Sequence, residues 1–131
     1  MSPARKVLFF VTEDWYFCSH RLALARWLKT QGYEVAVATR VREHEEPIRA
    51  AGIQLIPIDL ERRGKTPWQE ASFVARLAGI YRVARPDIVH HVGLKPVLYG
   101  SVAAMIAGVP RVVNALAGLG YVFSSRQLAA R

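Results

Sequence analysis

Lys6-Val7-Leu8-Phe9-Phe10-Val11 decides the fold. The run is apolar without interruption and has the length of a strand. A strand covered on one face alternates polar and apolar residues, whereas one covered on both faces, as in a parallel sheet, does not. Val35-Ala36-Val37-Ala38 repeats the pattern inside Tyr33–Thr39. Ile53–Ile58, Ile88-Val89-His90 and Val112-Val113 supply a third, fourth and fifth strand. Pro57 marks the third as ending there or lying at a sheet edge.

Helices fill the intervals. Thr12–Cys18 reads as a loop. Ser19 then caps a helix to about Gln31 that carries Leu24, Trp27, Leu28 and Gln31 on one side and stops at Gly32. Glu45–Ala51 is a short helix closed by Gly52, and Asp59–Lys65 is a charged loop. Thr66-Pro67-Trp68-Gln69 is a capping box with proline at the first helical position. Val74, Leu77, Ala78 and Tyr81 follow at helical spacing, widened by Phe73 and Ile80, to about Ala84, and Pro86 stops the helix. Pro96–Ala107 is so evenly apolar that it is expected to be buried, as is the strand at Val112-Val113. Alternating strands and helices predict an α/β fold, a Rossmann-like parallel sheet with helices on both faces. Gln127–Arg131 reads as a helix just beginning, so the chain is expected to be part of a longer protein.

The 131 residues suffice for one domain, and at 52% hydrophobic and 21% charged they can bury a core. The single cysteine, Cys18, excludes a disulfide scaffold and a cysteine-rich zinc site, and fits a reducing compartment. Met1–Lys6 runs straight into the first strand, so a signal peptide is not expected. The net charge of +8, with no Asp or Glu from Ile88 to Arg131, favours anionic partners or reflects solvated helix faces. A basic stripe with interleaved aromatics is lacking, so nucleic acid is not an expected partner. Gly100, Gly108, Pro110 and Asn114 break the apolar C-terminal third into pieces too short to span a bilayer.

Ligands of parallel sheets bind beyond the carboxyl ends of the strands. The loop after the first strand lacks the glycines of a dinucleotide or Walker motif and offers Glu13, Asp14, Trp15, Tyr16, Phe17, His20 and Arg21 instead. Carboxylates beside aromatic faces suit a sugar, with its apolar ring faces and hydroxyl edges. Arg21 at a helix start is placed to meet a phosphate. His90 and His91 are strand neighbours pointing to opposite faces, so they do not share a metal; one belongs to the core and the other faces the cleft. Lys95 opens a helix, where the dipole disfavours a cation, which suggests that its charge is wanted for an anion. Gly118 and Gly120 give either a turn or a loop that lets backbone approach a ligand.

Pro86-Asp87-Ile88-Val89-His90-His91, Lys95-Pro96-Val97-Leu98-Tyr99-Gly100-Ser101, Ala107-Gly108-Val109-Pro110-Arg111-Val112-Val113-Asn114 and Gly118-Leu119-Gly120-Tyr121-Val122-Phe123 carry a resemblance. The chain resembles the N-terminal domain of GT-B-fold, glycosyltransferase family 4-like bacterial enzymes that build surface polysaccharides. The resemblance implies an acceptor-side Rossmann-like domain over residues 1–131, partnered by a donor-binding domain that this sequence does not contain. It implies sugar transfer from a nucleotide-sugar to a lipid-linked saccharide, with retention, no metal and no cofactor. It also implies a cytoplasmic protein peripheral on the anionic inner face of the membrane, with the domain inactive alone. Lys95 matches the lysine of the family's K-P motif. Many relatives have a second histidine two positions after the one matching His90; here that position is Val92.

The expected acceptor-binding residues are therefore Glu13, Trp15, His20, Arg21, His91, Lys95, Gly118 and Gly120. No catalytic residue is identified. The alternative is a single-domain flavodoxin-like or receiver-like binding module, with Glu13-Asp14 and Asp59 as its acids.

Overall fold

The computed structural model describes residues 5–59 and 66–116. In chain order these form β1 (Lys6–Glu13), α1 (Asp14–His20), α2 (Leu22–Thr30), β2 (Glu34–Arg40), α3 (Glu45–Ala50) and β3 (Gln54–Pro57). Then come α4 (Pro67–Ala84), β4 (Ile88–Val92), α5 (Leu94–Ala107) and β5 (Arg111–Ala115). The five strands lie in one sheet in the order β3-β2-β1-β4-β5, and every pairing is parallel. Pro57 ends β3 at the sheet edge, where its missing N–H costs no ladder bond. The order is that of a Rossmann half, and not the β2-β1-β3-β4-β5 order of flavodoxin-like and receiver folds, so the alternative reading does not stand.

The unbroken apolarity of β1 is used on both faces. Leu8 and Phe10 pack with Phe73, Leu77 and Tyr81 of α4 and Ala103 and Ala104 of α5. Val7, Phe9 and Val11 pack on the other face with Phe17 of α1, Leu22 and Ala25 of α2, and Ile48 of α3. Each such buried side chain contributes roughly 1.5–3 kcal/mol. The capping box forms as expected: Thr66 Oγ1 accepts from the Gln69 backbone N–H, and the Gln69 side chain accepts from Thr66 N–H.

Several expectations need correction. The segment from Thr12 to Cys18 is not a loop: β1 runs to Glu13 and α1 begins at Asp14. Ser19 lies inside α1 and caps nothing; a break at Arg21 separates α1 from α2. That break rotates the next helix, so Leu22 and Ala25 face the sheet while Leu24 and Trp27 face solvent. Helix α5 is buried only along Pro96, Gly100, Ala103 and Ala104; Leu98, Val102, Met105 and Ile106 are exposed on its outer side. Strand β5 is at the sheet edge, with Val112 and Val113 exposed. Gly118, Gly120 and the helix expected from Gln127 lie outside the described residues, as does the charged stretch 60–65.

Candidate functional site

The chain leaves β1 for α1 on one face of the sheet and leaves β4 for α5 on the other. The two turns diverge, and a crevice opens between the carboxyl ends of β1 and β4, at the switch point where such sheets bind ligands. Val11, Thr12, Glu13, Trp15, Tyr16, Val92 and Gly93 line about 190 Å³ of it. Gly93 turns at φ 102°, which a side chain would strain, and its N–H donates to the Ala115 carbonyl at 2.9 Å. The end of β5 is thereby tied to the rim.

One wall is aromatic. Trp15 is half exposed and meets Tyr16 edge-on at 5.6 Å, and Tyr16 stacks on His20 at 4.0 Å. The other polar element is Glu13, whose Oε1 lies 3.6 Å from Arg40 Nη1 and whose Oε2 lies 3.5 Å from Arg42 Nε. Behind it Asp14 is wholly buried, with Oδ2 accepting the backbone N–H groups of Arg42 (2.8 Å) and His44 (2.9 Å). Burial alone would raise its pKa. The backbone N–H groups of Arg42, His44 and Trp15 outweigh that and hold the carboxyl below its usual value. Asp14 is thus a latch that fixes the β2–α3 loop against α1, and so fixes the floor under Glu13.

The crevice thus brings aromatic faces and one carboxylate together at the reversal of a Rossmann-ordered sheet. A family model described as glycosyl transferase 4-like matches residues 6–130. The chain belongs to the glycosyl transferase 4-like family.

Solved structures share the fold. A glycosyltransferase from Rickettsia africae ESF-5 superposes with a TM-score of 0.70 at 15% identity, over 86% of this chain and 30% of that one. MurG of Acinetobacter baumannii gives 0.66 at 18% identity, over 84% and 35%. VinC, solved in complex with DTDP, gives 0.57 at 19% identity, over 82% and 34%. The glycosyl transferase 4-like chain therefore spans about a third of the length of each. No curated protein sequence gives a significant match.

In this family member the expected site residues divide. Glu13 and Trp15 line the crevice, and His20 joins it through Tyr16. Lys95 is exposed in the first turn of α5, two residues past Gly93, on the same rim. Arg21 is not at the rim. Its Nε donates to His90 Nε2 at 3.2 Å, against the middle of β4 and about 7 Å short of Val92 along the strand. His91 is a correction. Its side chain is fully buried beneath Gly100, Nδ1–H donates to Asn114 Oδ1 (2.8 Å), and Nε2 accepts from the Tyr81 hydroxyl (2.9 Å). Burial lowers its pKa and raises that of Tyr81, so both are neutral core groups. His90, the half-buried neighbour, is likewise pushed down by burial, and its Nδ1–H donates to the Val113 carbonyl.

Sequence reasoning did not single out Tyr16 or Gly93 as site residues, nor Asp14 as a buried latch. The available signals were Tyr16 beside Trp15, and a glycine directly between the fourth strand and its helix.

Proposed function

We propose that this chain is the acceptor-binding domain of a glycosyltransferase, acting with a separate nucleotide-sugar-binding domain to move a sugar onto a lipid-linked saccharide in surface polysaccharide synthesis. The observation that carries the reading is the crevice at the β1/β4 switch point, with an aromatic wall and Glu13 at its mouth, in a chain of this family. Trp15 and Tyr16 take the apolar face of an acceptor sugar, Glu13 accepts from its hydroxyls, and Lys95 faces acceptor phosphate. The family and VinC's complex with DTDP support a nucleotide-linked donor. The chain's own contribution is to hold the acceptor hydroxyl in line with the donor's anomeric carbon. In this reading transfer retains configuration, needs no metal, and does not occur on this domain alone.

Among the described residues no helix is long and apolar enough to cross a membrane. The outer sides of α4 and α5 expose Trp68, Val83, Leu98, Met105 and Ile106, and Leu98 and Ile106 line an apolar groove of about 680 Å³ together with Glu70 and Arg82. Apolar side chains among arginines suit the anionic cytoplasmic surface of the inner membrane, where a lipid-linked acceptor resides.

Two measurements test the assignment of roles. Calorimetry of this chain with nucleotide-sugars is expected to show weak or absent binding, and the chain joined to a donor-binding domain is expected to label a lipid-linked saccharide. Tight stoichiometric nucleotide-sugar binding by this chain alone contradicts it.

A further inference from the structure

Arg21 joins two helices and belongs to neither. Its backbone N–H donates to the Phe17 carbonyl at 2.8 Å and closes the last turn of α1, while its own carbonyl accepts from Ala25 N–H at 2.9 Å in the first turn of α2. Between those bonds its backbone sits at φ −129° and ψ −12°, away from helical values. No side chain caps the start of α2. The break is held instead by the Arg21 guanidinium, whose Nη1 donates to the His20 carbonyl at 3.1 Å and whose Nε donates to His90 Nε2 at 3.2 Å. The second bond ties the end of α1 to β4, across 69 residues of sequence.

That tie depends on one proton. A carbonyl oxygen only accepts, so the contact with Val113 (3.2 Å) assigns a hydrogen to His90 Nδ1 and leaves the neutral ring a lone pair at Nε2 for Arg21. A protonated ring carries N–H on both nitrogens. Two donors and two positive charges would then face each other at Nε2. The surroundings do not offset this among the described residues. The pocket beside the ring is lined by Val7 and Phe9 of β1, Leu24 and Leu28 of α2, and Val113 of β5, with Tyr33 as its other titratable group. His91 faces the opposite side of the sheet. Burial, with the Arg21 charge adding to it, outweighs the Val113 bond and holds the His90 pKa below its usual value.

Helix α1 also carries the crevice wall. The Tyr16–His20 stack lies in its last turn, and Phe17 meets Phe9 edge-on, as Phe9 meets His90, each at 5.4 Å. We propose that Arg21 and His90 form a proton-operated joint: with His90 neutral it holds the last turn of α1, and so the Tyr16–His20 wall, against β4, and protonation at Nε2 releases it. The joint does not depend on the glycosyl-transfer reading, and its test uses neither donor nor acceptor.

The test is an NMR titration of this chain from about pH 8 to about pH 5, following the His90 ring, the Arg21 Nε–H and backbone amide, and the Phe17 ring. The Arg21 and Phe17 signals are expected to move with the His90 midpoint, below 6.5. His90→Gln keeps an acceptor that does not titrate, so that transition should be lost while the folded spectrum is kept. Arg21→Gln removes the facing cation and should raise the His90 midpoint and still the Phe17 response; it carries the same test if His90→Gln fails to fold. His20→Gln and His44→Gln, which remove the other titrating rings near α1, should leave the transition in place. Arg21 and Phe17 signals with a midpoint different from that of His90, a transition that survives His90→Gln, or a His90 that takes no proton above about pH 5 overturns the proposal.

Discussion

Gly100→Ala sets a methyl group against a ring that has nowhere to go. An added Cβ would lie 2.8 Å from His91 Cε1 and nearer still to Nε2 and Cδ2. The ring is fully buried and held from both ends, by the Tyr81 hydroxyl and by Asn114. Opposing effects decide the sign. Alanine in place of glycine inside a helix gains about 1 kcal/mol. Overpacking a well-filled core loses about 1–3 kcal/mol. Tilting the ring away from a buried partner loses another 1–3 kcal/mol or so. The net expectation is a loss of about 1–5 kcal/mol, which for a domain of this size lowers the melting temperature by roughly 5–20 °C. Thermal unfolding followed by circular dichroism measures it. In a His91→Ala background the same substitution should no longer cost stability and should gain about 1 kcal/mol, since only the helix-propensity effect remains. A melting temperature that is unchanged or raised by Gly100→Ala refutes the close seating of α5 on β4.

Asp14→Asn is expected to destabilise by about 1–3 kcal/mol at neutral pH, because a buried acceptor of two backbone N–H groups loses its charge. Its carboxyl sits below the usual 3.8 when folded, so its stabilisation is complete above that value and is lost as pH falls through the lower folded pKa. The wild-type acid limb should therefore be steeper than that of Asp14→Asn in pH-dependent unfolding, and coincident limbs would count against the latch. Thr66→Ala removes the cap of α4 and should cost about 1 kcal/mol in urea unfolding, with an unchanged slope.

Much of the architecture is legible because it is written in short-range patterns. Uninterrupted apolarity in β1 and β2 marks strands covered on both faces, Pro57 marks an edge, and Thr66 to Gln69 marks a helix start within a residue. Helix α1 escapes because it has only two turns, too few for periodicity to show, and because its buried pair, Asp14 and Phe17, includes a carboxylate. Helix α5 misleads because an evenly apolar helix has no polar face to point outward, yet its buried stripe is only the small residues and Pro96 that let it approach β4. Alternation along β4 shows that His90 and His91 face opposite ways. It does not show which face α4 and α5 cover, and that long-range choice puts His91 in the core and leaves His90 to Arg21. The crevice was legible in part, since Glu13, Trp15 and Lys95 lie where β1 and β4 give way to their helices at the carboxyl edge.

The most direct test of acceptor binding at the β1/β4 crevice is the steady-state kinetics of Trp15→Ala in the chain joined to its donor-binding domain. Trp15 is half exposed, so folding should be little affected. Loss of one sugar-facing ring, worth about 1–2 kcal/mol, predicts a KM for acceptor raised roughly tenfold with the KM for nucleotide-sugar unchanged. A raised donor KM with an unaltered acceptor KM would contradict the account.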